Sequence, residues 1–470
     1  MNNGREIKDA ENIFSDPDTI AAIATPIGQA GIGIIRISGP LSLDIARKIF
    51  RPKNSVENFK SHFLYLGEVY DPSSMSLIDE VLLSYMKAPH SYTREDVIEI
   101  NSHSGYLILS MILQVVIDEG ARLARPGEFT FRAFLNGRID LTQAEAVMNL
   151  INSQSSKGLH LACQQVQGVF RQQIEILRQR VVDMLAQVEV AIDFPEADVE
   201  ILSRVDAVSA IKKNLLSPVK ALIAAHSSRS FWIDGVNTVI AGRVNAGKSS
   251  LFNRLLNEQR AIVTSVPGTT RDVIGSHVSV NGVPLRLMDT AGFGHTRDEV
   301  DRIGVQLAEQ KMMEADFVMV VIDQSRPLND DDLGIIKMVR GKSSLMVINK
   351  IDLPCALDQG SYLDGLPIVR ISALTGQGID DLKKTIVQCF LKDDMNLVSS
   401  NVVPNVRHKK ALVEAEGYFN GAMKNLEKDS PMEVVAVELK SGLDALGEII
   451  GETTGEEVWD SIFSQFCLGK

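Results

Sequence analysis

Hydrophobic and polar positions alternate in three different ways along the chain. From residue 19 to about residue 135, short β-rich runs such as Thr19–Ala24, Ile32–Ile37 and Val97–Ile100 are separated by glycines and polar turns. Tyr106–Glu119 is instead apolar over a length that suits a helix. Short apolar runs bounded by turn residues predict strands, so this part of the chain is predicted to be an α+β domain.

A helical pattern follows. Between residues 142 and 194 apolar side chains recur at steps of three and four, which is typical of an amphipathic helix long enough for a bundle. Thr142 and Glu145 fit a capping box at its start. A second helix is expected around Ile211–Ala225, and the pattern is helical again from about Asn396 to the end.

The third pattern begins near Trp232. Short β-rich runs alternate there with helical stretches, and this rhythm predicts a doubly wound α/β domain with a mainly parallel sheet. The predicted strands are Val236–Ala241, Val278–Val280, Leu285–Met288, Phe317–Ile322, Leu345–Ile348 and Ile368–Ile371. The sequence thus predicts an N-terminal domain (1–136), a helical domain in two parts (137–233 and 395–470) and an α/β domain inserted between those parts (234–394).

Charge and composition narrow the functional classes. The 470 residues include 48 Lys+Arg and 60 Asp+Glu, a formal net charge of −12, so contact with nucleic acid would need a local basic patch. No apolar stretch approaches the roughly 18 residues of a membrane span, and no secretory signal is expected. The four cysteines are scattered without a CxxC pair, which argues against a disulfide framework or a structural zinc site and fits a reducing cytoplasm.

The strongest motif is Gly242-Arg-Val-Asn-Ala-Gly247-Lys248-Ser249, which matches the phosphate-loop pattern G-x-x-x-x-G-K-[ST]. It follows a predicted strand and precedes a predicted helix, as the pattern requires. Glycines let backbone N–H groups curl around phosphates, and the helix N-terminus adds positive potential. Lys248 can reach the β- and γ-phosphates, and Ser249 can bind Mg²⁺.

Further segments specify the nucleotide. Asp289-Thr-Ala-Gly292 follows a predicted strand and can serve Mg²⁺ and the γ-phosphate, and Thr269 or Thr270 could complete the Mg²⁺ coordination. In Asn349-Lys-Ile-Asp352, the Asp carboxylate can accept from guanine N1–H and the exocyclic amine, a donor pair that adenine lacks. Ser372-Ala-Leu374 offers a backbone N–H to guanine O6. These motifs in this order predict a Ras-like G domain and a GTPase.

The residues leave the hydrolytic machinery open. Phe293 stands where a Ras-like GTPase has a water-orienting Gln, and an apolar ring cannot orient water. Another group must therefore neutralise the developing charge, and the side-chain oxygen of Asn245 could hold a monovalent cation against the phosphates. Asp301 and Glu299 are candidate carboxylates for positioning the attacking water, or they belong to a solvated acidic helix start.

The motifs near the two ends of the chain are more specific than those of the G domain. They include Arg36-Ile-Ser-Gly39, Ser91-Tyr-Thr-Arg-Glu-Asp-Val-Ile-Glu99, Asn136-Gly-Arg138 and the final Cys467-Leu-Gly-Lys470. Together with the G motifs, they resemble the MnmE (TrmE) family, the GTPases that modify the wobble uridine of tRNA. The resemblance covers nearly the whole chain.

This resemblance implies a function and its partners. Proteins of the family form homodimers through a folate-type N-terminal domain and act on tRNA with MnmG, a partner that carries FAD. The expected activity is K⁺-dependent GTP hydrolysis coupled to the addition of an aminomethyl or carboxymethylaminomethyl group at carbon 5 of the wobble uridine. The expected one-carbon carrier is 5-formyl- or 5,10-methylene-tetrahydrofolate.

The resemblance also assigns residues by type of ligand. Folate contacts fall on Arg36, Glu99, Arg138 and Lys470, and Cys467 is either a nucleophile near that site or a small buried thiol. Mg²⁺ ligands fall on Ser249 and Thr270, K⁺ ligands fall on Asn245, Thr264, Val266 and Thr269, and the water-positioning carboxylate falls on Asp301, where the family has Glu. The expected GTP-binding residues are Asn245, Ala246, Gly247, Lys248, Ser249, Ser250, Thr264, Ser265, Val266, Pro267, Gly268, Thr269, Thr270, Asp289, Thr290, Ala291, Gly292, Asn349, Lys350, Asp352, Ser372, Ala373 and Leu374.

Two other classes share part of these features. A ribosome-assembly GTPase, a switch without modification chemistry, would share the G motifs but often ends in a KH domain with a GxxG loop, which the C-terminal segment lacks. A stand-alone folate aminomethyltransferase would not need a full set of guanine motifs. The basic run Arg407-His-Lys-Lys410 could contact tRNA phosphate or form a solvated helix start.

Overall fold

The computed structural model describes residues 18–26, 28, 30–153, 155–194, 203–229, 232–233, 235–260, 275–288, 310–357, 365–391 and 402–470. The chain folds into two compact units. The first contains the described residues up to Met148 together with Ile450–Lys470, and the second contains those between Asn149 and Ile449. No helix within the described ranges is both long and apolar enough to cross a membrane.

The first unit is built on a sheet in which the described residues form seven strands in the order β3-β4-β5-β6-β2-β1-β7. The strands are β1 (Ile20–Ile23), β2 (Ala30–Ser38), β3 (Phe50–Pro52), β4 (Phe63–Tyr70), β5 (Leu77–Met86), β6 (Val97–Ser104) and β7 (Arg122–Leu123). The helices are α1 (Ser42–Ile49), α2 (Tyr106–Asp118), α3 (Glu128–Leu135), α4 (Leu141–Asn152), of which the residues up to Met148 belong to this unit, and, near the C-terminus, α14 (Glu456–Phe463). The predicted α+β character of this part is confirmed.

Side-chain alternation in β2 and β6 separates the core of this sheet from its opposite face. Ile35 and Ile37 of β2 are fully buried in a cluster that also contains Ile98 and Ile100 of β6. Successive side chains of a strand point to opposite faces, so the intervening Arg36 and Glu99 lie on the other face of the sheet. These two residues are direct partners in the antiparallel register.

The helical segment differs from the sequence prediction in two ways. Residues 142–194 do not form one helix, because α4 is followed by α5 (Ser156–Val166) and α6 (Val169–Asp193). Gly168 adopts a left-handed φ of 86° at the break before α6, a conformation that glycine tolerates. The cap of α4 is Asp140 rather than Thr142, since Asp140 Oδ1 accepts from the backbone N–H of both Thr142 (2.7 Å) and Gln143 (3.0 Å).

The other helices of the second unit also begin or end at residues that the pattern alone did not mark. The helix expected at Ile211–Ala225 begins earlier, as α7 (Arg204–Ala210), continues through a π-helical turn (Ile211–Leu216) and ends as α8 (Ser217–Arg229). The later helices are α12 (Val406–Glu427) and α13 (Met432–Ile450).

A second sheet carries the nucleotide motifs. Its described strands are β8 (Val236–Ala241), β9 (Gly275–Val280), β10 (Val283–Met288), β11 (Phe317–Asp323), β12 (Ser344–Asn349) and β13 (Ile368–Arg370), and their order is β13-β12-β11-β8-β10-β9. All neighbours are parallel except β9 and β10. Helices α9 (Lys248–Arg260) and α11 (Ile379–Leu391) contribute to the core on one face, and α10 (Asp330–Met338) contributes to the core on the other. This is the predicted doubly wound α/β fold.

Candidate functional site

The phosphate-loop motif has the strand, loop and helix context that its chemistry needs. Gly242 directly follows β8 with a φ of 152°, and a Cβ at this position would overlap the carbonyl oxygen of Val321. Gly247 has a φ of 97°, and a Cβ there would overlap the amide nitrogen of Asn349. Glycine is therefore required at both ends of the loop, and α9 begins immediately afterwards at Lys248.

The side chain of Lys248 folds back onto the start of the phosphate loop. Its Nζ donates to the carbonyl oxygens of Gly242 (2.8 Å) and Arg243 (2.9 Å). Burial lowers the pKa of Lys248, because the ammonium form loses solvation. Ser249 and Ser250 are exposed on the first turn of α9. A cation and a helix N-terminus on the same side of a glycine-rich loop form a site suited to phosphate.

Asn349 connects the phosphate loop to the segment expected to bind guanine. Its Nδ2 donates to the carbonyl oxygen of Ala246 (3.0 Å), and its Oδ1 accepts from the backbone N–H of Ala373 (3.0 Å). Asn349 is buried, whereas Asp352 and Leu374 are exposed. The parallel strands β8 and β12 thus bring the phosphate loop and the two guanine motifs to one edge of the sheet, with Asn349 as the tie between them.

An ion pair beneath the guanine motif was not found by sequence reasoning. Lys350 Nζ lies 2.6 Å from Asp323 Oδ2, and Asp323 is 2% exposed. Burial raises the pKa of Asp323, but hydrogen bonds from Lys350 and Ser325 outweigh this effect, so its pKa lies below the ordinary value. Asp323 ends β11, the neighbour of β12, and that position at the carboxyl end of a parallel strand was the available signal.

A second group of predicted residues meets in the first unit. Arg36 Nε donates to Glu99 Oε1 (2.8 Å), and Arg36 Nη1 donates to the carbonyl oxygen of Gly469 (3.2 Å). The carbonyl oxygen of Lys470 accepts from the backbone N–H of Phe129 (3.2 Å). The last two residues of the chain therefore lie beside the Arg36–Glu99 pair.

The ring of Tyr92 lies near both arginines of this group. The guanidinium carbon of Arg36 is 5.8 Å from the centroid of its ring, and that of Arg138 is 5.0 Å from it. Arg138 also donates to the carbonyl oxygen of Ser91 (2.7 Å), and Arg36 stacks over Phe129 at 5.6 Å. Sequence reasoning missed both rings, although Tyr92 lies within the motif that ends at Glu99. The arrangement offers two cations, one carboxylate and the partly exposed ring of Tyr92 to a planar anionic ligand, whereas Phe129 is fully buried.

Of the remaining predicted residues, Cys467 and Asn245 are described by the structure and the others are not. Cys467 is exposed, so a small buried thiol is not what the structure has at this position, and its carbonyl oxygen lies 3.5 Å from the backbone nitrogen of Gly127. Asn245 is exposed in the phosphate loop with a left-handed φ of 65°. The predicted residues that lie outside the described ones are Thr264, Ser265, Val266, Pro267, Gly268, Thr269, Thr270, Asp289, Thr290, Ala291, Gly292, Phe293, Glu299 and Asp301.

The basic run at the start of α12 is mostly engaged in structure. Arg407 donates to the carbonyl oxygens of Glu448 (2.7 Å) and Ile449 (2.9 Å) at the end of α13. His408 is 3% exposed and completes a capping box with Asn405. Lys409 and Lys410 are the members of the run that are exposed.

Comparison with known proteins identifies relatives of the whole chain. A family model described as the MnmE helical domain matches residues 141–467, and one described as the GTP-binding protein TrmE N-terminus matches residues 19–138. A tRNA modification GTPase MnmE of Geobacter metallireducens is 45% identical over 457 residues, covering 96% of this chain and 99% of the relative. Another, of Thermoanaerobacter pseudethanolicus, is 42% identical over 459 residues, with the same two coverages.

Solved structures also match part of the chain. The G domain of the T. maritima FeoB iron transporter is 26% identical and covers 33% of this chain and 98% of that domain, with a TM-score of 0.25.

Proposed function

The chain belongs to the MnmE family of tRNA modification GTPases, and we propose that it is the K⁺-dependent GTP-hydrolysing subunit of a complex that modifies carbon 5 of the wobble uridine. The group added is an aminomethyl or carboxymethylaminomethyl group. GTP hydrolysis itself is the activity of the family. The modification chemistry is proposed to use a folate, and the observation that supports this part is the meeting of Arg36, Glu99, Arg138 and the chain end around Tyr92.

The phosphate loop and the guanine motifs would hold GTP. Lys248 would shift from the loop carbonyls to the β- and γ-phosphates, and the Asp352 carboxylate would accept from the guanine edge. Ser249 would bind Mg²⁺ together with Thr270. Asp301 would position the attacking water.

K⁺ would take the place of an arginine finger. Asn245, exposed on a left-handed turn of the loop, would supply a side-chain oxygen to the cation. The carbonyl oxygens of Thr264, Val266 and Thr269 would complete the coordination. A cation at this position stabilises charge that develops on the transferred phosphate.

A tetrahydrofolate fits the residue types of the second group. Arg36 and Arg138 would pair with its carboxylates, and Glu99 would accept from the amino and ring N–H groups of the pterin. Tyr92, which is partly exposed, would offer flat apolar surface to the rings. When bound, the folate supplies the one-carbon unit, and Cys467, exposed two residues before Gly469, would be the candidate nucleophile there.

Assembly is the third part of the proposal. Leu64 and Leu66 of β4 and Leu82 of β5 are 64%, 43% and 41% exposed, and Leu66 lies directly opposite Leu82. Contiguous exposed apolar side chains on one face of a sheet favour a protein interface. We assign this face to the homodimer, and we infer that the dimer acts in the cytoplasm on tRNA with MnmG, the partner that carries FAD.

Calorimetric titration with 5-formyltetrahydrofolate tests the folate assignment. The wild-type chain should bind it saturably, and Arg138→Ala should lose most of the affinity while retaining GTP turnover. Arg47→Ala is the matched control, because it removes an exposed arginine on α1 whose ion pair is with its helical neighbour Asp44, 3.5 Å away. Absence of binding in a chain that turns over GTP would overturn the folate assignment. Equal GTP turnover in KCl and NaCl at matched ionic strength would overturn the K⁺ assignment.

A further inference from the structure

Arg243, the second residue of the phosphate loop, is anchored outside the loop. Its Nη1 lies 3.4 Å from Oδ2 of Asp332 on the first turn of α10 and 3.5 Å from the carbonyl oxygen of Pro327. The Asp332 side chain is 1% exposed and that of Arg243 is 13% exposed. The ion pair is therefore mostly removed from water, so its Coulombic attraction is little screened and loss of either partner would leave a buried charge uncompensated.

The Asp332 carboxylate pairs with Arg243 and takes part in the N-terminal cap of α10, and one of its two oxygens makes no hydrogen bond among the described residues. Its Oδ2 also accepts from the backbone N–H of Asn329 (3.3 Å), and its own N–H donates to Asn329 Oδ1 (3.0 Å), which forms the capping box of α10. Its Oδ1 is buried and has no hydrogen-bond partner among the described residues. A buried carboxylate requires a compensating cation, and Arg243 supplies it. The spare oxygen can accept a second guanidinium N–H if the loop moves toward α10.

The backbone of Arg243 organises the loop that its side chain anchors. Its carbonyl oxygen accepts from Lys248 Nζ (2.9 Å) and from the backbone N–H of Ala246 (3.3 Å). Near the end of the loop, the carbonyl oxygen of Ala246 accepts a hydrogen bond from Asn349 Nδ2 (3.0 Å). The loop is thus fastened at two points, one near its start and one near its end, and Asn245 lies between them.

We propose that Arg243 is a positioning residue for GTP hydrolysis. Through Asp332 it fixes the first half of the phosphate loop and, with it, the position of Asn245. The proposal deepens the proposed function, because Asn245 is the K⁺ ligand assigned above. Guanine recognition depends on Asn349 and Asp352, which the Arg243–Asp332 pair does not touch in this structure.

The experiment compares Arg243→Gln, Asp332→Asn and the double variant in the full-length chain. Each single variant should lower kcat for GTP about tenfold or more, since misplacing a reacting geometry by an ångström can cost about a hundredfold. The KCl concentration for half-maximal turnover should rise, while the Kd of a fluorescent GDP analogue changes little. Asp330→Asn, which removes the same charge from the exposed side of the same helical turn, should behave as wild type.

Two further comparisons separate positioning from simple stabilisation. If Arg243 and Asp332 act as one unit, the double variant should lose no more kcat than the worse single variant. Arg243→Lys keeps a cation beside Asp332 and should recover part of the kcat that Arg243→Gln loses. Additive losses, or a fall in thermal stability without a change in kcat, would overturn the proposal. A wild-type chain that ignores K⁺ would overturn the proposed K⁺ site instead, and kcat and additivity would still decide the role of Arg243.

Discussion

Replacing Gly127 with alanine should displace the C-terminal segment of the chain. Gly127 precedes α3 with a left-handed φ of 71°, and a Cβ there would lie 2.5 Å from the carbonyl oxygen of Phe463 and 3.0 Å from Cβ of Phe466. Neither neighbour is the flexible end of a side chain, so the end of α14 must move. The residues that follow it, up to Lys470, carry the carbonyl groups that bond Arg36 and Phe129.

The size of the effect follows from two separate costs. A left-handed backbone costs a non-glycine residue about 1–2 kcal/mol, and forcing an extra carbon into a packed contact costs about 1–3 kcal/mol more. Gly137→Ala is the matched control, because Gly137 has a φ of 69° at the other end of α3 but its Cβ would meet only Arg94 Nη1 at 3.6 Å. The control carries the first cost alone, so the two variants should differ by about 1–3 kcal/mol in the free energy of unfolding.

Trp459 provides the assay. Its ring centroid lies 5.7 Å from that of Phe134 and 6.1 Å from that of Phe131, so its emission reports on the packing between α14 and α3. The chain has 2 tryptophans, and Trp232→Phe leaves Trp459 as the single reporter. Denaturant unfolding should show Gly127→Ala to be less stable than Gly137→Ala, and calorimetry should show weaker binding of 5-formyltetrahydrofolate. Equal stability and equal affinity in the two variants would refute the steric argument.

Two other consequences concern buried and capping charges. Burial raises the pKa of Glu128, but hydrogen bonds from Arg122 and from the Arg125 backbone outweigh burial, so the pKa lies below the ordinary value of 4.5. The ionised Glu128 therefore stabilises the fold fully above pH 4.5, and this contribution is lost as the pH falls through the lowered pKa. Glu128→Gln should therefore cost about 1.5–3 kcal/mol at neutral pH in denaturant titrations, and the difference should shrink as the pH falls through the lowered pKa of Glu128, whereas a constant difference would contradict the assignment. Arg407→Ala should lower the free energy of unfolding by about 1–3 kcal/mol without changing the salt dependence of tRNA binding. If the run contacts phosphate, Lys409→Ala should reduce the salt dependence of tRNA binding and leave the free energy of unfolding unchanged.

The fold of the nucleotide-binding part could be predicted from the sequence because its apolar runs, turn residues and helical segments all indicate the same α/β arrangement. The predicted strand Val236–Ala241 is β8 to the residue, since an apolar run, a glycine and a helix-forming segment follow one another without ambiguity. The strands β11 and β12 are buried throughout and apolar except at their end residues Asp323, Ser344 and Asn349, as expected for a parallel sheet covered on both faces. In such a sheet the carboxyl ends of the strands gather at one edge, so the order of the motifs also predicted their meeting.

The helical segment shows where a periodic pattern is insufficient. The apolar stripe continues in phase across Gly168, so the pattern alone does not reveal the break before α6. At the start of α4 both Asp140 and Thr142 are residue types that cap helices, and a choice between them depends on the partner three residues later. Gln143 Oε1 accepts from the backbone N–H of Asp140 (3.0 Å), which completes a capping box that starts two residues earlier than predicted.

Pairs of distant charges were beyond the reach of local patterns. Arg243 and Asp332, and likewise Lys350 and Asp323, are brought together only when β8, β11 and β12 are adjacent and in register. Arg243 and Lys350 lie in recognisable nucleotide motifs, but the sequence around them does not identify Asp332 or Asp323 as their partners. The physical signal is burial of the carboxylate, and burial follows from the tertiary fold rather than from the sequence around it.

The final glycine of the chain illustrates the same dependence on tertiary structure. Gly469 has a φ of 85°, and a Cβ there would overlap the carbonyl oxygen of Ile23 in β1 and lie 2.7 Å from Cα of Ala24. The residue is therefore a glycine because backbone from the other end of the chain passes beside it. This close approach places the Gly469 carbonyl within hydrogen-bond distance of Arg36, whose own position follows from the alternation of β2. The motif at the chain end thus makes physical sense only together with the first two strands, and a folate-type site at that junction would depend on both ends of the chain at once.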